Sequence, residues 1–237
     1  MTNKVKGTCV PVEYLVLGML ENNVYIISDG KATIVVDPTC KPDEIIKAAG
    51  GSVDAIILTH RHSDHVGAAK ELRDKTGATV IASAIDAPII SGEKKLPRDD
   101  MRFTPCPVDH VVNDGDILKI GDMPWKVILT PGHTEGGICL FIDPRFGTNP
   151  EGAPVLISGD TLFCGSIGRT DFQGGDMNAM RRSLKRLAVL PDETVVLPGH
   201  NSTTKIGNER KKGCSLTTRR GSRLTLRRRI ARSVPSG

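Results

Sequence analysis

His60-Arg61-His62-Ser63-Asp64-His65 places three imidazoles and a carboxylate in six consecutive residues. Packing alone does not ask for that density of polar side chains. Imidazole and carboxylate are borderline-to-hard donors that suit Zn²⁺, Fe²⁺ or Mn²⁺ without a thiolate beside them. His60 and His62 stand two apart, so in an extended or looped segment both face one ion, and Asp64 and His65 then reach a second site. The spacing is not His-Glu-x-x-His, whose ligands need a helical turn between them.

Five of the six histidines, all but His110, share one setting, in which an apolar run ends and a ligand-type residue follows closely. Ile56-Ile57-Leu58-Thr59 leads to His60, and Val127-Ile128-Leu129-Thr130-Pro131-Gly132 leads to His133. Val155-Leu156-Ile157-Ser158-Gly159 leads to Asp160, and Val195-Val196-Leu197-Pro198-Gly199 leads to His200. Asp160 alone would also serve as a turn cap, but its position between Ser158-Gly159 and Thr161-Leu162-Phe163 favours a ligand. His110 reads as a surface residue.

Buried strands whose ends carry loops are the usual rigid support for such residues. Asn23 to Ser28 and Ala32 to Asp37 flank the turn signal Asp29-Gly30-Lys31 and predict a hairpin. Ala55 to Thr59, Thr79 to Ala82, Ile117 to Ile120, Trp125 to Thr130, Ile138 to Ile142, Val155 to Ser158 and Thr194 to Leu197 read as further strands. Helices are expected at Pro42 to Ala49, Val66 to Thr76, Ile85 to Ile90 and Met177 to Leu190, the last with Met180, Leu184 and Leu187 on one face. Ser91 to Pro107 shows no period. Strands and helices mixed in this way imply sheets covered by helices, in an α/β or α+β layered domain.

With 237 residues, the chain has the length of one large domain and buries enough surface to fold without disulfides. Six scattered cysteines without a C-x-x-C pair, and no export signal near Met1, predict reduced thiols and a cytoplasmic location. No apolar stretch approaches the length of a membrane span, so no membrane partner is expected. The net charge of +5 is unevenly placed. Residues 1–209 hold all 27 Asp and Glu against 22 of the 32 Lys and Arg, and so carry −5, whereas the 10 cations of 210–237 make that segment +10. The chain therefore divides into an acidic body, 1–209, and a basic tail, 210–237, whose Ser, Thr and Gly content predicts disorder. Nucleic acid is not an expected partner except through that tail.

The His-x-His-x-Asp-His segment, Pro131-Gly132-His133-Thr134, Gly159-Asp160-Thr161-Leu162-Phe163 and Pro198-Gly199-His200 resemble the successive metal motifs of the metallo-β-lactamase-fold superfamily, in order. The resemblance covers about Val12 to Arg210. It implies an α+β fold, a four-layer αββα sandwich with metals at one edge. It also implies two divalent ions, zinc first, with iron or manganese as alternatives. His60, His62 and His133 would hold one ion, Asp64, His65 and His200 the second, and Asp160 would bridge them. A hydroxide bridging the ions would attack a carbonyl carbon, and Asp64 would orient it as well as bind metal.

Within the superfamily, Thr161-Leu162-Phe163, Gly168-Arg169-Thr170-Asp171-Phe172 and Thr203 to Arg210 look most like the short bacterial glyoxalase II-like hydrolases. These are similar to hydroxyacylglutathione hydrolase, which cleaves a thioester, so the expected partner is a small-molecule thioester. Arg169 and Lys205 are candidates to contact an anionic substrate. Full glyoxalase II enzymes add a C-terminal helical domain that helps to bind glutathione, and the 37 residues after His200 are too few for one. The tail also departs from the Asn-Pro ending of such relatives, as a shifted reading frame near Lys211 would make it. Two other activities compete. Gly168 to Gln173 also resembles the persulfide dioxygenases of this fold, which use one iron and O₂. A phosphodiesterase or nuclease would use the same metals, although the acidic body disfavours a nucleic-acid groove.

Overall fold

The computed structural model describes residues 2–95 and 103–212. Its N-terminal half builds a seven-stranded sheet in sequence order: β1 (Asn3–Val5), β2 (Val12–Leu17), β3 (Asn22–Ser28), β4 (Thr33–Val36), β5 (Ala55–Ile57), β6 (Thr79–Ser83) and β7 (His110–Val112). β1 to β4 pair antiparallel, and β4 to β7 pair parallel. Parallel neighbours need crossovers. These run through α1 (Pro42–Ala48), then α2 (Ser63–Val66) with α3 (Ala69–Thr76), then α4 (Ala87–Ile90).

The C-terminal half forms the second sheet from β8 (Ile117–Ile120), β9 (Met123–Leu129), β10 (Ile138–Ile142) and β11 (Val155–Gly159). A small hairpin, β12 (Leu162–Phe163) with β13 (Ser166–Ile167), stands apart from it. Helix α5 (Met177–Leu187) then crosses to β14 (Val195–Pro198), which pairs parallel with β11. β15 (Thr204–Lys205) and α6 (Ile206–Lys212) complete the order β15-β14-β11-β10-β9-β8.

The strand period of two decides the layers. Tyr25, Ile27, Ile34, Val36 and Ile57 point to one core with Trp125, Val127, Leu140, Ile157 and Leu197 from the second sheet. The alternate residues Val24, Ile26, Val35, Ile56 and Leu58 meet Ile45, Leu72 and Ile90 of the first sheet's helices. Leu156 and Val196 turn the other way, onto Met180, Leu184, Leu187 and Ile206. The result is helix, sheet, sheet, helix, the α+β four-layer αββα sandwich.

The expected hairpin forms around Asp29, whose Oδ1 accepts from the amides of Lys31 and Ala32. His110 lies exposed on β7, as expected. The helix expected over Val66 to Thr76 starts earlier, at Ser63, and breaks at Gly67-Ala68. The Ala68 amide leaves the helical ladder to donate to the Pro38 carbonyl at 2.8 Å. A Cβ on Gly67 would stand 2.3 Å from the Thr39 carbonyl oxygen. Contact with the loop after β4 therefore overrides the helical period. α5 ends at Leu187 rather than Leu190, and Arg210 of α6 donates to the Ala188 and Leu190 carbonyls just beyond it. β1, β2, β7, the β12–β13 hairpin, β15 and α6 are not among the elements expected from the sequence. Residues 210–212 of the expected tail continue α6, while 213–237 lie outside the described residues, as do 96–102.

Candidate metal centre

The four ligand-bearing strand ends converge at one edge of the sandwich, where β5, β9, β11 and β14 end. β5 runs through Leu58 and Thr59 to His60. Asp37 follows β4, the parallel neighbour of β5, and anchors this segment. Its Oδ1 accepts from the Thr59 amide at 2.8 Å, and its Oδ2 accepts from the Thr59 hydroxyl at 2.7 Å and faces His65 Nδ1 at 2.9 Å. Asp64 and His65 lie in the single turn of α2, directly after the looped His62.

Three groups of donor atoms form, each with its atoms within 4.8 Å of one another: His60/His62/His133, His60/His65/Asp160, and Asp64/His65/His200. Asp160 stands between the outer two. Its Oδ2 is 3.5 Å from His133 Nε2 and 3.5 Å from His200 Nε2, and its Oδ1 is 3.4 Å from His65 Nε2. A Cβ on Gly199 would come within 2.4 Å of Asp160 Oδ1 and 2.6 Å of His65 Cε1, so only glycine lets the β14 end approach.

The imidazoles are oriented from behind. Because the Thr59 hydroxyl donates to Asp37, it accepts from His60 Nδ1, 3.1 Å away. His65 Nδ1 faces Asp37, His133 Nδ1 faces the Arg169 carbonyl at 2.7 Å, and His200 Nδ1 faces the Leu20 carbonyl at 2.9 Å. An imidazole that donates through Nδ1 turns the Nε2 lone pair the other way. Four Nε2 atoms thus point into the centre. His62 differs and presents Nδ1, 2.8 Å from His133 Nε2.

The electrostatics suit a cation. Burial, then the neighbouring imidazoles, hold His60 well below the usual histidine range and bring His62 to about 3, so both keep lone pairs. Burial likewise lowers His133. At His65 burial opposes charge, but Asp160, Asp37 and Asp64 outweigh it and raise the pKa to about 10. Burial would raise Asp64, yet His200, His65 and Asn22 hold it well below the carboxylate range. Buried His60 Nε2 and Asp160 Oδ1 have no hydrogen-bond partner in the protein. Unpaired buried polar atoms are rare and call for a missing partner. The residues therefore fit divalent metal.

Of the two proposed substrate contacts, Arg169 lies beside the centre through its backbone. Its guanidinium is exposed, bonds Asp171 at 3.0 and 2.8 Å, and lies 3.9 Å over the Phe172 ring. Phe172 in turn stands edge-on to His62, with centroids 6.0 Å apart. Lys205 is not brought to the centre. It pairs in register with Val195, at the start of β14, whereas His200 follows that strand's other end. Sequence reasoning missed Asp37, Asn22 and Arg61. Arg61 is buried and donates to Asp86 at 2.7 Å and to the Gln173 carbonyl at 3.0 Å, tying the histidine loop to the wall of the site. An acidic residue ending an apolar run, Val36-Asp37-Pro38, was the available signal for Asp37.

A family description, the Metallo-beta-lactamase superfamily, matches residues 17–200, a span that contains all seven expected ligands. The chain belongs to this superfamily. Members of the superfamily bind divalent metals, and the present chain carries a His/Asp site of that kind. It is 31% identical over 200 residues to the "Probable metallo-hydrolase YqgX" of Bacillus subtilis, covering 81% of this chain and 91% of that protein. It is 30% identical over 211 residues to the "Hydroxyacylglutathione hydrolase GloC" of Haemophilus influenzae, covering 84% and 95%. Among solved structures, BLEG-1 B3 metallo-β-lactamase is similar at 32% identity and TM-score 0.74, covering 87% of this chain and all of that one. TTHA1623 in a di-iron-bound form is similar at 33% identity and TM-score 0.68, covering 84% and 97%. The chain is thus a metallo-hydrolase-superfamily protein. Among the described residues, no helix is long and apolar enough to cross a membrane.

Proposed function

We propose that this protein is a two-metal hydrolase that cleaves a small thioester of the hydroxyacylglutathione type. The observation that carries the reading is the position of Asp160 between two ligand groups, one on each side. His60, His62 and His133 would hold one divalent ion and Asp64, His65 and His200 the other, with Asp160 reaching both. Zinc is the first candidate. Bound there, the ions would acidify a water and polarise the acyl oxygen.

The chain's own part is to orient and to enclose. Asp37, Thr59 and the carbonyls of Arg169 and Leu20 hold the imidazoles in one tautomer. Asp64 lies at the rim of the second group, where its carboxylate would orient the attacking oxygen. Phe172 walls the His62 side. Arg169 stands beside it as a cation for an acidic group on the thiol half of the substrate. The similarity to GloC supports the substrate class, and the di-iron form of TTHA1623 supports two ions in this fold.

A second reading, a single-iron oxidation of persulfides by O₂, draws on the Gly168 to Gln173 segment. That segment forms the wall at His133 through the Arg169 carbonyl. Elemental analysis of the purified protein, run beside thioester, persulfide and phosphodiester substrates, separates the readings. Two ions per chain with anaerobic thioester cleavage are expected. One iron per chain with O₂ consumption on a persulfide would overturn the hydrolase.

A further inference from the structure

Asn22 opens β3 at the same edge, and its side chain is 1% exposed. Its Nδ2 donates to Asp64 Oδ2 at 3.0 Å. The same nitrogen stands 3.4 Å from His65 Nε2 and 3.5 Å from His200 Nε2. One carboxamide therefore faces every member of the Asp64/His65/His200 group. Its backbone also bridges His200 directly, and the Asn23 amide donates to the Gly199 carbonyl at 2.8 Å. Nothing comparable joins Asn22 to His60, His62 or His133 among the contacts described.

The orientation of the amide follows from charge. Turned over, the carboxamide would set its oxygen against the Asp64 carboxylate, oxygen to oxygen. Asp64 therefore selects the N–H₂ face toward the group. The Asn22 oxygen then points back toward Gly18, where it is 3.7 Å from the place a Cβ would occupy, and it has no protein partner. An amide kept in this position with an unpaired buried oxygen is under a constraint that packing does not supply.

We infer that Asn22 is a positioning residue for the second ion alone: its Nδ2 fixes the direction of Asp64 Oδ2, and it makes no described contact with the His60/His62/His133 group. The inference rests on the two-metal reading above. Hydrogen bonds to a ligating carboxylate fix its direction, and losing such a partner typically weakens metal binding by about 10- to 100-fold.

The test is a zinc titration of the metal-free full chain, with chelator competition to resolve two affinities, on wild type, Asn22→Leu and Asn22→Ala. Leucine keeps the volume and removes the donor, and alanine gives the same comparison if leucine disturbs the fold. The expected result is a first affinity within about twofold of wild type and a second weakened by about 10- to 100-fold. Unchanged second affinity, or equal weakening of both, overturns the inference. A measurement without mutation stands beside it. In ¹⁵N-labelled wild type the Asn22 side-chain amide protons should shift with the second equivalent of zinc and not the first. A shift with the first equivalent, or with neither, counts against the role. Wild type that saturates at one ion would reject the two-metal reading itself, a different outcome from two ions whose affinities ignore Asn22.

Discussion

At the level of single residues, the centre depends on carboxylates in two kinds of position. Asp160 faces donors of both groups, so on the two-metal proposal replacing it should affect both sites together. Asp160→Ala is expected to remove turnover and lower bound metal, measured by thioester assay and elemental analysis on the same sample. Retained metal and activity would reject the assignment. Asp37 never reaches the centre, yet it holds the β5 end through Thr59 and orients His65. Asp37→Asn keeps the shape but removes the charge that pairs with His65 Nδ1. It should weaken metal binding by about 10- to 100-fold without eliminating it, as chelator competition would show. The candidate donors His60, His133, Asp160 and His200 were legible because each follows an apolar run that ends in Thr or Gly, and His62, Asp64 and His65 because they crowd directly after His60. Asp37 also ends an apolar run, directly after Val36, but its role appears only when β4 lies beside β5. Lys205, which similarity of motif suggested as a substrate contact, lies by its register with Val195 at the start of β14, away from the strand end that leads to His200.

At the level of elements, positions where chain segments meet determine what the period alone mispredicts. α2 and α3 are separate because the Ala68 amide bonds the Pro38 carbonyl, beside Gly67, where a side chain would meet the Thr39 carbonyl. Gly67→Ala should cost about 1–3 kcal/mol by overpacking, read from urea unfolding. α5 follows its period: Asp176 caps it through the amides of Asn178 and Ala179, and Leu184 packs on Leu156 and Val196. Leu184→Ala should cost about 2–5 kcal/mol. The last motif, Glu209-Arg210, turns out to serve the fold. Buried Glu209 accepts from the Gly165 amide and the Thr204 hydroxyl, and Arg210 closes the end of α5 and pairs with Asp192. A pH effect belongs here as well. The Arg73 guanidinium of α3 and the Val80 amide hold the Asp109 carboxyl below its ordinary value. Its lowered pKa means the contribution is complete above the unfolded value of about 3.9 and fades as pH falls through the folded one. The gap in melting temperature between wild type and Asp109→Asn should therefore hold from neutral pH to about 4 and close below it.

At the level of the whole molecule, the two sheets meet over one apolar core and leave their polar strand ends at a single edge. Metal held there couples ligands from both halves of the chain, so binding should stabilise the entire fold. An ion at 100 times its dissociation constant contributes about 2.7 kcal/mol per site. Chelation should accordingly lower the melting temperature by several degrees, at about 2–4 °C per kcal/mol for a chain of this size. The charge belongs to this scale also. Residues 213–237 hold seven of the 32 Lys and Arg and no acidic residue, so their removal takes the net charge from +5 to −2. Truncation after Lys212 keeps α6 and every donor of the centre, and kcat/KM for a thioester should not change.

By itself the sequence marked the candidate metal donors, because the end of an apolar run, the Gly, Thr or Pro that follows it and the density of His and Asp are local properties. The order of apolar strand-like runs and helical periods pointed to a layered α/β or α+β domain, and the resemblance narrowed this to the four-layer αββα sandwich that the fold shows. The tertiary structure shows which of these side chains come within reach of one another, because that depends on the distance between strand ends, and hence on β4 lying beside β5 and β14 beside β11. It also decided what each Nδ1 faces, since the carbonyls of Arg169 and Leu20 and the carboxylate of Asp37 come from segments remote in the chain. Asn22 belongs wholly to that second category: nothing in Glu21-Asn22-Asn23 marks it, and only the approach of the β14 end makes it a neighbour of Asp64, His65 and His200.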